Sequence, residues 1–230
     1  KGTCFGLLGP NGAGKTTTIE MLEDVIPPTS GEILYKGKQR SSSFKQEVGI
    51  QFQQTALLSS LTLRETLITF KNLYNDPADI EEIIDICNLR EIQKRLNDKM
   101  SGGQKQRLML ALAMINKPEL MFLDEPSTGL DPQARRNLWS IVQKIKEKGD
   151  TIILTTHYME EAQHLCDEIA IMDNGKIIAR GTPHQLIKEH CEGVTVILPK
   201  NSIKTPLSQF PFRFREINGR LEIRTNDINS

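Results

Sequence analysis

Short apolar runs and helical repeats of apolar residues alternate along most of the chain. Residues 3–8 form a β-prone apolar run that glycines follow at once, and apolar residues then recur at helical spacing through Ile26. This change of period predicts a strand, a glycine-rich turn and a helix. Residues 120–123 and 151–155 have the pattern of buried strands, and residues 133–148 between them predict a helix.

The remaining pattern completes an alternating order of strands and helices. It predicts strands at 32–35, 47–52, 168–172 and 176–179 and helical segments at 61–95 and 108–115. Asp173-Asn174-Gly175 between the last two strands predicts a hairpin turn. Because such alternation is typical of a sheet covered by helices, we expect an α/β domain over residues 1–190, with a helical insertion near 54–104.

The tail after about residue 191 has a different pattern. Short strands are predicted at 194–198, 212–217 and 220–223, and Asn218-Gly219 joins the last two as a hairpin turn. Phe210, Phe212 and Phe214 alternate as they would in a strand, which favours ordinary packing. We therefore expect a small β-rich appendage over residues 191–230, whose role the sequence leaves open.

Composition and charge narrow the class of protein. Hydrophobic residues make up 38% of the 230 residues, as in ordinary globular domains, and 29 basic side chains balance 29 acidic ones. The formal net charge is therefore zero, whereas nucleic-acid-binding proteins usually carry an excess of positive charge. No nucleic-acid partner is expected. The longest apolar run, residues 108–115, is too short to span a bilayer.

The cysteines and the first residue add two expectations. Cys4, Cys87, Cys166 and Cys191 show no metal-binding spacing and no paired framework, which suits a reducing cytosol. No secretory leader is visible. The chain begins at Lys1 rather than at methionine, so we expect a fragment or a processed protein.

A phosphate-binding loop lies between the first strand and the first helix. The segment Gly9-Pro10-Asn11-Gly12-Ala13-Gly14-Lys15-Thr16 fits the pattern G-x-x-x-x-G-K-[ST]. Its glycines let backbone N–H groups surround phosphate oxygens, and the following helix adds its positive end. Lys15 would then reach the β- and γ-phosphates and Thr16 would bind Mg²⁺. This loop predicts a nucleoside triphosphate site, which kinases, GTPases, helicases and transport ATPases share.

Two acidic residues end the strand at 120–123. Asp124 at that position can hold Mg²⁺, usually through water. Glu125 follows it and can orient and polarise an attacking water, so Glu125 is the candidate general base.

A second glycine motif precedes another predicted helix. Ser101-Gly102-Gly103-Gln104 places small residues before that helix and so predicts a second anion-binding helix start. One nucleotide needs only one such site. The second is explained if it serves a nucleotide that is bound to another copy of the protein.

Read together, these motifs resemble the nucleotide-binding subunit of an ABC transporter. The segment from Gly9 to Thr17 is similar to the Walker A loop, residues 120–125 to Walker B, and residues 127–131 to the D-loop that ends in Asp131. Ser101 to Gln104 resembles the LSGGQ signature, with Met100 in place of the usual leucine. Gln53, or Gln54 in a less favoured register, matches the Q-loop glutamine, and His157 matches the switch histidine. The stretch through Pro183 also resembles the daunorubicin-resistance and multidrug-export type.

The resemblance implies a P-loop NTPase fold and a complete set of roles. The fold would have a RecA-like core, a helical subdomain, a truncated antiparallel β subdomain and the β-rich appendage. Two copies would meet head to tail and enclose two ATP molecules with Mg²⁺. ATP hydrolysis would then power separate membrane-spanning subunits, with this subunit on the cytoplasmic face of the membrane.

The residues divide into three groups under this resemblance. Glu125 and His157 would be catalytic, and Thr16, Gln53 and Asp124 would hold the metal. The nucleotide would be bound by Asn11, Gly12, Ala13, Gly14, Lys15, Thr16, Thr17, Gln53 and Asp124, and across the dimer by Ser101, Gly102, Gly103, Gln104 and Asp131.

Two other functions are possible for these motifs, and the sequence also differs from the family pattern upstream of Walker A. A soluble, non-transport ABC ATPase is disfavoured by the single ATPase unit and by the lack of basic excess and coiled-coil heptads. A small-molecule kinase is disfavoured because it needs no second glycine motif. The family's adenine-stacking aromatic residue lies well upstream of Walker A, where only eight residues stand here, so weakened ATP affinity is expected.

Overall fold

A computed structural model describes residues 2–53, 55–190, 194–199 and 214–225. Gln54, Cys191, Phe210 and Phe212 lie outside these ranges. The chain divides into two compact units, Lys1–Pro183 and His184–Ser230. The helices and strands of the first unit are β1 Cys4–Leu8, α1 Lys15–Leu22, β2 Leu34–Tyr35, β3 Lys38–Gln39, α2 Phe44–Glu47, β4 Val48–Gln51, α3 Leu63–Lys71, α4 Ile80–Ile86, α5 Gly102–Ala113, β5 Leu120–Asp124, α6 Pro132–Glu147, β6 Thr151–Thr156, α7 Met159–Leu165, β7 Glu168–Asp173 and β8 Lys176–Gly181.

A six-stranded sheet forms the centre of the first unit, in the order β4-β5-β6-β1-β7-β8. All neighbouring strands in it are parallel except β7 and β8, which pair antiparallel through the Asn174-Gly175 turn. The parallel register brings the carboxyl ends of β5, β6 and β1 to one edge, where Asp124 lies beside Thr155 and Leu8 beside Thr156. The α/β prediction is therefore confirmed.

The sheet is covered on both faces, which explains the uninterrupted apolar runs of its strands. Met121, Phe122 and Leu123 are consecutive residues of β5, so their side chains point alternately to the two faces, and all three are at most 2% exposed. Parallel strands read as continuous apolar segments because helices pack on each face. The sheet edge that carries the functional side chains therefore rests on a rigid core.

The helical insertion contains α3, α4 and two short 3₁₀ turns, Arg90–Ile92 and Asn97–Lys99. Its long predicted helix is thus broken into pieces. Helix α3 begins at a capping box in which the Thr62 hydroxyl and the Glu65 carboxylate bind each other's backbone N–H. The amide of buried Asn97 donates to the carbonyl of Leu58 and the hydroxyl of Thr66, both at 2.8 Å, and joins the end of the insertion to its beginning.

Several local features differ from the sequence prediction, which contained neither helix α7 nor the helix at Pro183–His190. The connection between residues 35 and 47 contains the short strand β3, which pairs with β2 through a Lys36-Gly37 turn of positive φ, and the helix α2. Helix α1 ends at Leu22 rather than near Ile26. Arg40 explains this end, because its guanidinium donates to the carbonyls of Met21 and Leu22.

The second unit contains most of helix α8, Pro183–His190, and the strands β9 Val194–Pro199, β10 Phe214–Ile217 and β11 Arg220–Thr225. These strands pair antiparallel in the order β10-β11-β9. Asn218 and Gly219 both have positive φ, as the predicted hairpin turn requires. The β-rich character of the tail is confirmed for the described strands.

Candidate functional site

The loop between β1 and α1 has the backbone that a phosphate cradle needs. Gly12 and Gly14 have φ of 82° and 100°, which side-chain-bearing residues rarely adopt. A Cβ at Gly9 would overlap the carbonyl oxygen of Met172. Of the other predicted loop residues, Asn11 and Thr17 are exposed, Ala13 is buried, and Thr16 is half-buried.

Lys15 is buried at the base of this loop, with only 4% of its surface exposed. Its amine donates to the carbonyls of Gly9, at 2.9 Å, and Pro10, at 3.1 Å. The same Nζ lies 3.4 Å from Oε1 of Glu125. Lys15 thus connects the phosphate loop to the acidic end of β5 through a buried charge pair.

Asp124 and Glu125 are held side by side at the carboxyl end of β5. Asp124 is buried and accepts a hydrogen bond from the Thr155 hydroxyl of β6. The Glu125 backbone N–H donates to the same Thr155 oxygen, at 2.9 Å. Glu125 has φ 46°, in the left-handed region that residues other than glycine seldom occupy.

The Glu125 carboxylate is the point where the predicted motifs meet. Oε2 accepts hydrogen bonds from the Thr128 hydroxyl, at 3.1 Å, and from the Gln53 amide, at 3.4 Å. Nδ1 of His157 lies 3.2 Å from the same oxygen. Phosphate loop, Q-loop, D-loop and switch segments therefore each place a polar group on one buried carboxylate.

These contacts set the protonation of Glu125. Burial alone would raise the pKa of its carboxyl, but the hydrogen bond from Thr128 and the charges of His157 and Lys15 outweigh it and lower the pKa. Glu125 is therefore ionised at neutral pH. An ionised carboxylate can accept a proton from an attacking water, which is the chemistry of a general base.

His157 follows the last residue of β6 and is oriented by a local turn. The hydroxyl of Thr156 accepts the backbone N–H of Tyr158, at 2.9 Å, so it fixes the chain on both sides of His157. The imidazole lies against the Tyr158 ring, with centroids 4.1 Å apart. This arrangement holds Nδ1 towards Glu125.

The Ser101–Gln104 segment is the exposed start of helix α5. The Ser101 hydroxyl accepts the Gln104 N–H, and the Gln104 side chain accepts the Ser101 N–H and a hydrogen bond from Arg95. The predicted helix start is present as a complete capping box. Ser101 and Gly102 are exposed, whereas the Lys15–Glu125 pair is buried.

Asp131 lies at the start of the helix that packs against this segment. Its carboxylate accepts the N–H groups of Gln133 and Ala134, both at 2.9 Å, and caps α6. A Cβ at Gly103 would approach the Ala134 Cβ to 2.9 Å. The small size of Gly103 therefore lets the starts of α5 and α6 approach closely.

Ser101 to Gln104 do not join the Glu125 cluster within one chain. No hydrogen bond or ion pair found among the described residues links the two groups. They instead border a common cavity of about 490 Å³, with Gln53 and Gly102 in its walls. Beside it, the buried Gln51 amide donates to the side chain of Gln106, at 2.9 Å, and connects the Q-loop strand to helix α5.

Sequence reasoning missed Thr128 and Thr155 as members of the cluster. Thr128 lies inside a matched motif but has no role assigned from the sequence, and Thr155 is predicted only as the end of the buried strand at 151–155. The signal for Thr155 was its position at the end of a buried strand, next to two other functional strand ends. Which of these strands are neighbours in the sheet was not readable from the pattern.

The three residues expected to hold Mg²⁺ carry oxygen atoms of the kinds that this ion prefers. Thr16, Gln53 and Asp124 offer hydroxyl, amide and carboxylate oxygens, which Mg²⁺ prefers. Gln53 donates through Nε2 to Glu125, which leaves its amide oxygen as the available ligand atom. Among the described residues no cluster of three or more histidine, cysteine and acidic side chains suggests a different metal centre.

Sequence comparison finds a matching family and similar proteins whose descriptions agree with one another. The sequence pattern of the family described as ABC transporter matches residues 1–128. The Nod factor export ATP-binding protein I of Burkholderia orbicola is 39% identical over 230 residues, covering 95% of this chain and 75% of the relative. The linearmycin resistance ATP-binding protein LnrL of Bacillus subtilis is 41% identical over 194 residues, covering 81% of this chain and 62% of the relative.

Solved structures share the fold. The cbiO1 protein from Clostridium perfringens, described as part of the ABC transporter complex cbiONQ, superposes with a TM-score of 0.75 at 25% identity, covering 82% of this chain and 80% of that chain. The cassette MJ0796, solved as a dimer in a post-hydrolysis state with ADP and Pi, superposes with a TM-score of 0.70 at 23% identity, covering 79% and 86%.

Proposed function

The chain belongs to the ABC transporter family, and we propose that it is the ATP-hydrolysing motor subunit of an exporter with separate membrane-spanning subunits. The names of two relatives support the direction of transport, since one is a Nod factor export protein and the other a linearmycin resistance protein. Within the described residues, no helix is both long and apolar enough to cross a bilayer. We assign the membrane-spanning part to a partner, because both relatives are named as ATP-binding proteins. That partner would hold this subunit on the cytoplasmic face. We assign the motor to residues 1–190 and an accessory role to residues 191–230.

The observation that carries this proposal is the convergence on Glu125. Glu125 is ionised, 6% exposed and contacted from three motifs by Lys15, Gln53 and His157. We assign to it the role of accepting a proton from water as that water attacks the γ-phosphate. Lys15 and His157 would donate to phosphate oxygens as negative charge develops, which stabilises the transition state.

The rest of the nucleotide site follows from the loop and the strand end. The N–H groups from Asn11 to Thr17 would surround the phosphates at the positive end of α1. Thr16, Gln53 and Asp124 would hold Mg²⁺. When bound, Mg²⁺ neutralises phosphate charge and orients the γ-phosphate.

The exposed signature supports a second copy as partner. Ser101 and Gly102 present an exposed helix N-terminus, which favours a negatively charged ligand. Because no hydrogen bond or ion pair among the described residues links this segment to the Glu125 cluster of its own chain, we propose that Ser101, Gly102, Gly103 and Gln104 complete the ATP site of the facing copy. Asp131, beside the signature at the start of α6, would then lie at the same interface.

The helical insertion is the proposed contact with the membrane partner. Leu58 and Leu73 are 67% and 64% exposed, and Ile68 of α3 is also exposed. Large exposed apolar side chains in one segment are typical of a surface that another protein covers. A partner that packs there would also border the cavity beside Gln53, so nucleotide state and partner would be coupled.

Capture from membranes tests the transporter role. The full-length protein, tagged and gently solubilised, is expected to copurify with a multi-spanning protein in fixed stoichiometry, and Leu73→Glu should weaken that association. Ile178→Glu, on the exposed edge strand β8, is the matched control. Recovery with ribosomes or DNA and without a membrane protein would instead support the soluble ABC ATPase.

A separate measurement tests the assigned site. Glu125→Gln should bind Mg-ATP, fail to hydrolyse it and accumulate as a dimer in light scattering. Glu147→Gln, an exposed residue at the end of α6, makes the same chemical change away from the site. A Glu125→Gln protein that remains monomeric in Mg-ATP would contradict the dimer and the role of Glu125.

A further inference from the structure

We propose that Thr155 is a positioning residue that holds both acidic side chains of the ATPase site through one hydroxyl group. The inference rests on the proposed function, because it assigns Thr155 an effect on the reaction that Asp124 and Glu125 carry out. Thr155 does not itself touch nucleotide or metal in this proposal.

The sheet places Thr155 between the two strands that form the site. It is on β6, where its Cα neighbours are Asp124 of β5 on one side and Leu7 of β1 on the other. Its side chain is fully buried. A buried hydroxyl must find its partners inside the protein, and both partners of Thr155 belong to the acidic pair.

The direction of each hydrogen bond follows from chemistry. The backbone N–H of Glu125 can only donate, so the Thr155 oxygen accepts it, at 2.9 Å. The single hydroxyl proton then remains for the Asp124 carboxylate, to which Thr155 donates. Thr155 therefore fixes the rotation of the metal-binding carboxylate and the backbone of the general base at once.

The second contact matters because of the backbone of Glu125. Its φ of 46° is uncommon for a residue with a side chain and must be maintained by the surroundings. The N–H of Glu125 is held by the Thr155 hydroxyl and by the Thr155 carbonyl, at 3.2 Å. The Thr155 hydroxyl thereby helps to keep the carboxylate of Glu125 on the side of Lys15 and His157.

A positioning role and a merely structural role predict different results. Loss of a buried hydroxyl lowers stability in either case. Only the positioning role predicts slower turnover, weaker metal binding and recovery of both when the hydroxyl is restored. Thr66 offers a matched comparison, since it is a buried threonine in α3 that donates to Thr62 and accepts from Asn97.

The experiment compares Thr155→Val, Thr155→Ser and Thr66→Val in the full chain. We expect Thr155→Val to lower kcat and the affinity for Mn²⁺ in the presence of ADP about tenfold each, as loss of groups that orient metal ligands usually does. KM for ATP should change little. Thr155→Ser should restore both quantities, and Thr66→Val should lower only the melting temperature. Mn²⁺ binding is measured by the electron paramagnetic resonance of the free ion.

Unchanged kcat and Mn²⁺ affinity in Thr155→Val would overturn the proposal, as would a serine variant no better than valine. If Thr155→Val does not fold, Thr155→Ala carries the same expectation, because it removes the hydroxyl without adding bulk. If the wild-type protein does not hydrolyse ATP, the proposed function fails, while Mn²⁺ affinity still decides the role of Thr155.

Discussion

The two glycine motifs of this chain have the same local design and opposite surroundings. Each places small residues at the start of a helix, at Gly14-Lys15 and at Ser101-Gly102. The first is built into the sheet edge, where the buried Lys15 amine lies between two backbone carbonyls and the carboxylate of Glu125. The second is exposed and satisfied by its own capping box. The first site is therefore preorganised by the fold, whereas the second is available to another molecule.

The largest expected effect comes from breaking the buried motif. Lys15→Met removes the positive charge beside Glu125 and the donor to the phosphates. ATP turnover should fall about 10²–10³-fold, as when a single transition-state donor is lost. Melting temperature should also fall, since Glu125 keeps its charge without its partner. Lys38→Met, on the exposed strand β3, should change neither quantity.

The exposed motif can be disabled without loss of stability. Ser101→Asp preserves a good helix cap but places a negative charge where a phosphate would approach. Turnover should fall strongly while the melting temperature stays near that of the wild type. Ser101→Ala should do the reverse and cost about 1 kcal/mol of stability, with milder loss of activity.

Mixing then tests whether the two motifs act in different chains. A dimer of one Lys15→Met chain and one Ser101→Asp chain contains one site in which both motifs are intact. Activity should therefore recover when the two inactive proteins are combined. If the mixture stays inactive although mixed dimers form, the signature does not act across the interface.

Glu23, a buried acidic residue at the end of α1, makes the stability of the folded protein sensitive to pH. Burial and the charges of Asp124 and Glu20 raise the pKa of Glu23 from its ordinary 4.5 to about 8. The folded state therefore resists ionisation of Glu23, and this cost grows as pH rises from about 4.5 to about 8. Glu23→Gln should raise the melting temperature at pH 8 and have little effect at pH 5.

The smallest effect is expected beside the exposed motif. Arg95 donates to Gln104 from an exposed position, at 3.0 Å. Because the capping box remains without it, Arg95→Met should change the free energy of unfolding by no more than about 0.5 kcal/mol. A larger loss in urea unfolding would mean that the signature is more tightly integrated than its exposure indicates.

The order of motifs along the chain predicted most members of the site, because each pairs a strand or helix end with chemically specific residues. Lys15 and Glu125, for example, were both predicted because each lies in such a motif. The convergence on one carboxylate was not predictable, because it depends on which strands are neighbours. Thr155 functions at its position only because β6 lies between β5 and β1. The elements that were missed, β3, α2, α7 and α8, are only two to eight residues long, so each has too few positions to show a clear period.

The position of β1 in the sheet also determines when the site can exist during synthesis. Cys4 pairs with Ile152 and Phe5 with Glu168, so both neighbours of the first strand are made long after it. At about 5–20 residues per second, a ribosome needs roughly 7–33 s to cover that interval. Until then the phosphate loop lacks the neighbouring strands that support it, and the Glu125 backbone lacks its hydrogen bonds to Thr155. A nascent chain therefore cannot hydrolyse ATP before almost the entire sheet has been translated.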